Sequence, residues 1–167
     1  MKNLIPVAIL LLTVSVLSFG QVTVTASTSV NIVAPIGMTL VNNMNFGNVA
    51  TTGSVGTVIL STAGARTAGT GVTFPATTGT VTAASFAVTG SGSFTYIITL
   101  PASDVVLTGG PTANVKVNTF VSNPSGTGAL TAGAQTLLVG ATLNLPASTL
   151  AGAYSNASDL AVTVNYN

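Results

Sequence analysis

Residues 160–166 read Leu-Ala-Val-Thr-Val-Asn-Tyr, and this stretch decides the fold class. Its larger apolar side chains recur at every second position, at Leu160, Val162, Val164 and Tyr166. Such alternation is typical of a β-strand with one buried and one exposed face. A strand at the end of a sequence frays unless something holds it. We therefore predict a C-terminal strand, and the central question is what lies beside it.

The same kind of pattern continues through the chain after residue 20. Short runs rich in Val, Thr and Ile are separated by Gly, Asn, Pro and Ser, which favour turns. β-Branched residues fit the pleated surface of a sheet. The sequence predicts an all-β protein in which two sheets pack as a sandwich. The predicted strand segments are residues 22–32, 38–41, 46–49, 55–60, 86–88, 94–100, 115–121, 137–145 and 160–166.

Two predictions concern the connections between these strands. Gly90-Ser91-Gly92 lies between the strands at 86–88 and 94–100, so we expect these strands to form a hairpin with a short connection. Residues 64–71 hold Arg66 between glycines and are predicted to form a loop.

The chain carries very little charge. Only 3% of its 167 residues are charged, whereas about 25% are charged in an ordinary domain. After residue 20 the charged side chains are Arg66, Lys116, Asp104 and Asp159, and their charges cancel. Nucleic-acid binding is not expected, because no basic stripe is present to displace counterions from phosphates. A neutral surface also lacks the repulsion that keeps soluble proteins apart, which favours packing against copies of itself.

The first twenty residues have the features of a signal peptide. Lys2 supplies a positive charge, an apolar run extends from Leu4 to Leu17, and small residues flank the predicted cleavage site after Gly20. Removal of residues 1–20 leaves no stable membrane span and an exported, extracellular protein. The alternative is an uncleaved anchor, but the run is shorter than the ~20 apolar residues of a spanning helix. The sequence has no Cys for disulfides or for a lipid anchor.

The side chains of common catalytic sites are nearly absent. There is no His to act as a general base and no Cys to act as a nucleophile. Asp104 and Asp159 are the only carboxylate side chains. A glycosidase would need them as a pair, but each is more simply a solvated turn residue. We therefore predict no enzymatic activity, no metal site and no cofactor.

Five aromatic residues lie within the predicted strands. They are Phe46, Phe86, Phe94, Tyr96 and Phe120. Such residues can line a sugar-binding face, but their positions in alternating strands favour the core. We expect them to pack inside the sandwich.

Several blocks of sequence together carry a resemblance to a known family. In chain order they are Pro35-Ile36, Met44-Asn45-Phe46-Gly47-Asn48-Val49, Gly56-Thr57-Val58, Phe86-Ala87-Val88-Thr89-Gly90, Phe94-Thr95-Tyr96-Ile97-Ile98-Thr99-Leu100, Val139-Gly140-Ala141-Thr142-Leu143, Gly152-Ala153-Tyr154 and Val162-Thr163-Val164-Asn165-Tyr166. The ordered set resembles a family of secreted pilin-like domains of unknown function. That family is related to spore coat protein U and, more remotely, to chaperone–usher pilins.

The resemblance implies an immunoglobulin-like sandwich that lacks one strand and therefore has a long apolar groove. In such pilins the N-terminal extension of a neighbouring subunit fills the groove, which is strand addition. A periplasmic chaperone and an outer-membrane usher are the implied export partners. The candidate acceptor strand, with its penultimate tyrosine, contributes Leu160, Val162, Val164 and Tyr166. The candidate donor strand presents Val22, Val24, Ala26, Thr28 and Val30 on one face.

Two interpretations of the N-terminal segment stay open. Residues 21–29 are either an extension that pairs with a neighbouring copy, ahead of a domain at 30–167, or part of the domain's own first strand. Two functions also stay open. The protein is a structural subunit of an extracellular filament or surface coat built by strand exchange, or it is a secreted monomeric adhesin or glycan-binding module.

Overall fold

The computed structural model describes residues 20–157 and 159–167, and within them the protein is all-β. Val33–Asn167 form one compact unit, and the residues before Val33 belong to a separate unit. The strands are β1 (Gly37–Asn42), β2 (Asn45–Phe46), β3 (Ala50–Thr51), β4 (Gly56–Leu60), β5 (Arg66–Ala68), β6 (Val72–Thr73), β7 (Val81–Thr82), β8 (Ala84–Thr89), β9 (Thr95–Thr99), β10 (Val105–Leu107), β11 (Val115–Asn123), β12 (Thr127–Ala129), β13 (Ala134–Leu145) and β14 (Thr163–Tyr166).

The larger sheet is organised around β13, which has 12 residues. One edge of β13 pairs with β11, and the other edge pairs first with β8 and then with β4. Strands β1, β10 and β5 extend this sheet at its margins, and all the pairings are antiparallel. Every second side chain of β13 is buried from Leu137 to Leu145, as the period of two requires.

The buried face of β11 changes phase in the middle of the strand. Val115 and Val117 are buried, yet the next side chain that packs on the core is Phe120. The register with β13 shifts between Asn118 and Val121, and Thr119 in this gap has a φ of 50°. A β-bulge of this kind adds one residue to a strand and re-aims the side chains that follow. The bulge therefore turns Phe120 inward although it is three positions after Val117.

The smaller sheet has the order β12-β9-β14 and covers only part of the larger one. Tyr96 and Ile98 of β9 pack against a buried cluster that includes Phe86, Val88 and Leu137 of the larger sheet. A second buried cluster, around Val58, Val115, Val117 and Leu143, receives no residue from the smaller sheet. It is covered instead by Met44 and Phe74 from connecting segments, by Phe46 of the short strand β2 and by Phe120 of β11. The predicted all-β sandwich is confirmed, and one half of it is covered by connecting segments and the short strand β2 rather than by the smaller sheet.

The strand order corresponds to that of an immunoglobulin-like domain. Such domains place strands A-B-E-D in one sheet and C-F-G in the other. Here β1-β8-β13-β11 follows the first order, and β9-β14 corresponds to C-F. The G position lies beside β14 on the edge away from β9. Within the described residues, 20–157 and 159–167, no strand occupies that position.

The predicted hairpin of residues 86–88 with 94–100 is wrong. Strand β8 pairs with β1 and β13, whereas β9 pairs with β12 and β14. The segment around Gly90 therefore carries the chain from one sheet to the other. Phe86 and Tyr96 belong to the same buried cluster, so the two strands face each other across the core. The alternating pattern is the same for two strands paired in one sheet and for two strands that face each other from different sheets. It therefore does not predict which strands pair.

Three further predictions need correction. Residues 64–71 are not all loop, because Arg66–Ala68 form β5 and pair with β4. The strand expected over residues 22–32 is not present, since the chain from residue 20 to 36 contains no strand. The C-terminal strand starts at Thr163 rather than at Leu160. Even so, Leu160 and Val162 are partly buried with exposed neighbours, so the predicted alternation in burial is confirmed from Leu160 onward.

Candidate functional site

An open groove enters the sandwich where the smaller sheet does not cover the larger one. It has a volume of about 780 Å³. Its floor is formed by Val115, Val117 and Leu143, which belong to β11 and β13. One wall is Leu40 and residues 43–48, from the end of β1 through β2, and the other is residues 152–157 and Leu160, ahead of β14. We call these the β1 wall and the β14 wall.

The β1 wall is held from behind by Arg66 on β5. Its Nη1 donates hydrogen bonds to the carbonyl oxygens of Phe46 at 2.6 Å and Asn48 at 2.7 Å. The guanidinium carbon lies 4.0 Å from the ring centroid of Phe74, a cation–π contact. Gly47, between the two acceptors, has a φ of 66°, and a Cβ there would overlap Thr78 O. The tight turn thus brings two carbonyls to one cation and fixes the position of Phe46.

The β14 wall is held from behind by β10 and the connection that follows it. Thr108 and Ser155 exchange two backbone hydrogen bonds of 2.8 Å each. Tyr154 Oη donates to Leu150 O at 2.8 Å and accepts from the N–H of Thr112 at 3.1 Å. Asn156 Nδ2 donates to Val106 O at 2.8 Å. Both walls are therefore anchored away from the gap, and the groove is formed within a single chain.

Tyr166 closes the end of the gap between β1 and β14. Its hydroxyl accepts from the N–H of Ser91 at 2.7 Å and donates to Ala34 O at 3.0 Å. Its ring packs edge-on against Phe94, with centroids 5.7 Å apart and an interplanar angle of 72°. A Cβ at Gly90 would overlap the Tyr166 hydroxyl, so this close approach requires glycine. One side chain thus joins the last strand, the crossing between the sheets and the chain that enters β1.

The segment before Val33 has its apolar side chains in solvent. The exposed fractions are 86% for Val22, 87% for Val24, 83% for Val30 and 88% for Ile32. These four residues occupy even-numbered positions, so an extended backbone would place them on one face. The segment therefore carries an apolar stripe that is not buried.

The charged side chains stand outside the groove floor. Lys116 Nζ lies 3.1 Å from Asp104 Oδ2, and both side chains are partly exposed. A hydrogen bond from Asn118 and the proximity of Lys116 lower the pKa of Asp104. Asp159 accepts a 2.7 Å hydrogen bond from Asn156 at the β14 wall. Burial raises the pKa of Tyr96, whose hydroxyl donates to Gln135 Oε1 at 2.7 Å.

The family comparison covers most of the compact unit. Residues 36–166 match the model of a domain of unknown function, DUF4402. The chain belongs to the DUF4402 family. No curated protein and no solved structure matches it. The matched range begins just before β1 and ends in β14, so the family domain includes both walls of the groove and Tyr166.

The four predicted acceptor residues all pack against the cluster shared by the two sheets of this DUF4402 domain. Leu160 also lines the groove, whereas Tyr166 closes the gap at its far end. The predicted donor residues Val22, Val24, Ala26, Thr28 and Val30 lie in the segment before Val33, which contains no strand.

Other sequence predictions have mixed outcomes. Phe86 and Tyr96 are buried and Phe46 and Phe120 pack against the core, but Phe94 is 46% exposed and the prediction for it is wrong. The predicted signal peptide falls on residues 1–19, outside the part of the chain that the structure describes, and on Gly20, which is exposed. Within the described ranges, no helix has the length and apolar character needed to cross a bilayer.

Arg66 is the functional residue that sequence reasoning missed. It was placed in a loop, and nothing in its neighbours indicates that it supports the β1 wall from a strand 18 to 20 residues away along the chain. The signal that the sequence carries is that Arg66 is a lone arginine in an almost uncharged chain.

Proposed function

We propose that this protein is the structural subunit of an extracellular filament or surface coat, built by β-strand exchange between copies. The groove receives the N-terminal segment of a second copy as an added strand. The observation that carries the proposal is the vacant G position beside β14. An anchored apolar groove, bounded on one side by the segment that leads into β14, accompanies it. Export through a periplasmic chaperone and an outer-membrane usher belongs to the same proposal.

The chemistry of the groove fits an apolar strand. Leu40, Met44, Phe46, Phe86, Phe120 and Leu160 line it, besides the valines of its floor. An extended strand in that position would satisfy two requirements at once. It would cover these side chains, and it would supply backbone partners to the free edge of β14, which is otherwise an aggregation hazard.

The N-terminal segment has the matching properties. Val22, Val24, Val30 and Ile32 are more than four-fifths exposed, and burial of one valine side chain contributes roughly 1.5–3 kcal/mol. The residues between them on the same parity, Ala26 and Thr28, are small. No charged residue lies between residues 20 and 33. The segment can therefore enter an apolar groove without burying a charge.

The surface of the subunit also permits close packing of copies. Arg66 is turned toward backbone carbonyls, and Lys116 is paired with Asp104. Little net repulsion therefore opposes assembly, and assembly should depend weakly on salt.

The test compares two matched variants of the chain from residue 21 to 167. Val30→Asp places a charge on the apolar face of the donor segment, whereas Ser29→Asp places the same charge on its other face. We expect Val30→Asp to raise the concentration needed for assembly by at least about tenfold, because even a neutral loss of one buried valine is worth that factor. Ser29→Asp should assemble close to wild type. Sedimentation velocity and negative-stain electron microscopy measure both.

Two results would contradict strand exchange. The first is a wild-type chain that stays monomeric at every concentration, with the same melting temperature as a form lacking residues 21–29. The second is equal assembly of the two aspartate variants. The alternative function, a glycan-binding module, requires exposed aromatic side chains, and Phe94 is the large exposed aromatic residue of the described ranges. Because its ring already packs on Tyr166, strand exchange is the function that the geometry favours.

A further inference from the structure

The chain enters β1 through a short segment whose position is fixed. The carbonyl oxygen of Ala34 accepts the hydrogen bond from Tyr166 Oη at 3.0 Å, and Ile36 packs against the cluster between the sheets. Pro35 lies between these two residues. The N-terminal segment is thus tethered at the end of the gap that Tyr166 closes. A tethered strand has an effective concentration on the order of millimolar, so it would outcompete a neighbour's strand if it could fold back.

We propose that Pro35 prevents the segment before β1 from folding back along β1, and so reserves this subunit's groove for the strand of a second copy. The inference rests on the proposed function and identifies the residue that directs the exchange. Folding back would make a hairpin between the segment and the free edge of β1. The loop length of that hairpin decides which face of the segment meets the groove.

A two-residue loop at Ala34-Pro35 gives the wrong face. It would place Val30 opposite Thr39 and Ser29 opposite Leu40. Because Leu40 lines the groove and Thr39 lies on the other face of β1, the valine would point away from the groove and the serine toward it. Proline is also disfavoured at the second central position of a type I turn, because it restricts the residue before it.

A three-residue loop gives the right face but requires a backbone that proline lacks. With residues 33–35 in the loop, Val30 would lie opposite Met38 and Thr28 opposite Leu40, so the apolar stripe would face the groove. The common three-residue hairpin loop needs a left-handed conformation, with positive φ, at its third residue. That residue is Pro35, whose ring holds φ near −65°. A longer loop of the same parity removes Ile32 from the paired face.

A strand from another copy meets none of these restrictions. It has no covalent connection to β1, so it can take the register and direction that bury its valines. Pro35 therefore blocks the chain's own N-terminal segment but not the same segment of another copy. The two segments have identical sequences and differ only in whether they are covalently joined to this β1.

Three substitutions in the chain from 21 to 167 test the proposal. Pro35→Gly and Pro35→Asn permit a positive φ at the third loop position. Pro35→Ala removes the proline ring but does not favour a positive φ. At a subunit concentration of about 10 µM, a millimolar tether favours folding back by about 100-fold. We expect the glycine and asparagine variants to sediment as monomers, with backbone amides of residues 22–32 protected from hydrogen exchange. Wild type and Pro35→Ala should form polymers.

The outcomes separate this inference from the function on which it rests. Polymers from the glycine and asparagine variants in wild-type amounts would overturn the role of Pro35 and leave strand exchange standing. Monomers from all three variants, alanine included, would also overturn it, because chain flexibility rather than the turn would then be the cause. A monomeric wild type would overturn strand exchange itself. If the glycine variant does not fold, the asparagine variant gives the same reading.

Discussion

Replacement of Tyr166 by phenylalanine tests how the end of the groove is closed. The substitution removes one oxygen atom, which accepts from the N–H of Ser91 and donates to Ala34 O. It keeps the ring and its edge-on contact with Phe94. The change therefore isolates the two hydrogen bonds from the packing of the side chain.

The expected loss follows from those two bonds. A hydrogen bond of this kind contributes about 1 kcal/mol net. Water can reach the site because Tyr166 is only partly buried, so the Ser91 N–H and the Ala34 carbonyl are not left without partners. We expect a loss of about 1–2 kcal/mol in the free energy of unfolding. For a chain of this size, 1 kcal/mol corresponds to about 2–4 °C, so the melting temperature should fall by about 2–8 °C.

The assay is urea unfolding followed by far-UV circular dichroism, at a concentration where the subunit is monomeric. Tyr166→Leu and Phe94→Leu complete the comparison, because a double-mutant cycle gives the ring–ring coupling of about 0.5–1.5 kcal/mol separately. An unfolding free energy for Tyr166→Phe equal to wild type would refute the bridging role of the hydroxyl. A loss as large as that of Tyr166→Leu would show that the ring contributes little beyond the hydroxyl, contrary to the packing argument.

Three more predictions follow from other contacts. Gly128→Ala should cost at least about 1–3 kcal/mol of unfolding free energy, since its Cβ would lie 2.5 Å from Tyr96 Oη and closer still to the ring, and thermal melting measures this. Arg66→Lys should weaken assembly more than it lowers the melting temperature, because a single ammonium cannot reproduce the carbonyl and ring contacts that set the β1 wall; equal assembly would contradict this. Asp104 has a pKa lowered by the Asn118 hydrogen bond, so its contribution to stability is present above pH about 4 and lost on acidification below it, and Asp104→Asn should flatten urea midpoints in that range.

The sequence predicts the fold class well because alternation of side chains is a local property. From Leu137 to Leu145 every odd-numbered residue is apolar, and the structure buries all of those side chains. Burial also alternates from Leu160 to Tyr166, even where the backbone is not assigned to a strand. Burial on one face can therefore be read before any pairing is known.

Pairing is a relation between distant residues, and here the sequence was less informative. The strands at 86–88 and 94–100 are adjacent in the chain and were predicted to be a hairpin, yet they stack across the core. The bulge at Thr119 also leaves only an irregular spacing between Val117 and Phe120 as its trace in the sequence. Both features depend on what the rest of the sandwich offers to these strands, which no local pattern records.

The groove illustrates the same limit and shows why it was predicted only through a resemblance. A groove is a missing neighbour, and the residues that line it look like ordinary core residues in the sequence. Leu40 and Leu160 would belong equally well to a complete sandwich. A complete sandwich differs from one with a groove in whether every expected strand position is filled. That can be decided only once the strand pairings are known.

Pro35 joins these two levels of description. In the sequence it only ends an alternating run, which makes the residues before it look like a first strand of the domain. In the structure Pro35 follows Ala34, whose carbonyl accepts a hydrogen bond from Tyr166, and it precedes β1. A hairpin loop at this place would determine whether the alternating run can pair with β1. Because the left-handed backbone needed there is closed to proline, the apolar stripe that begins at Val22 has no short path into its own groove. Under the proposed strand exchange, a second copy would supply the partner that this alternation predicts.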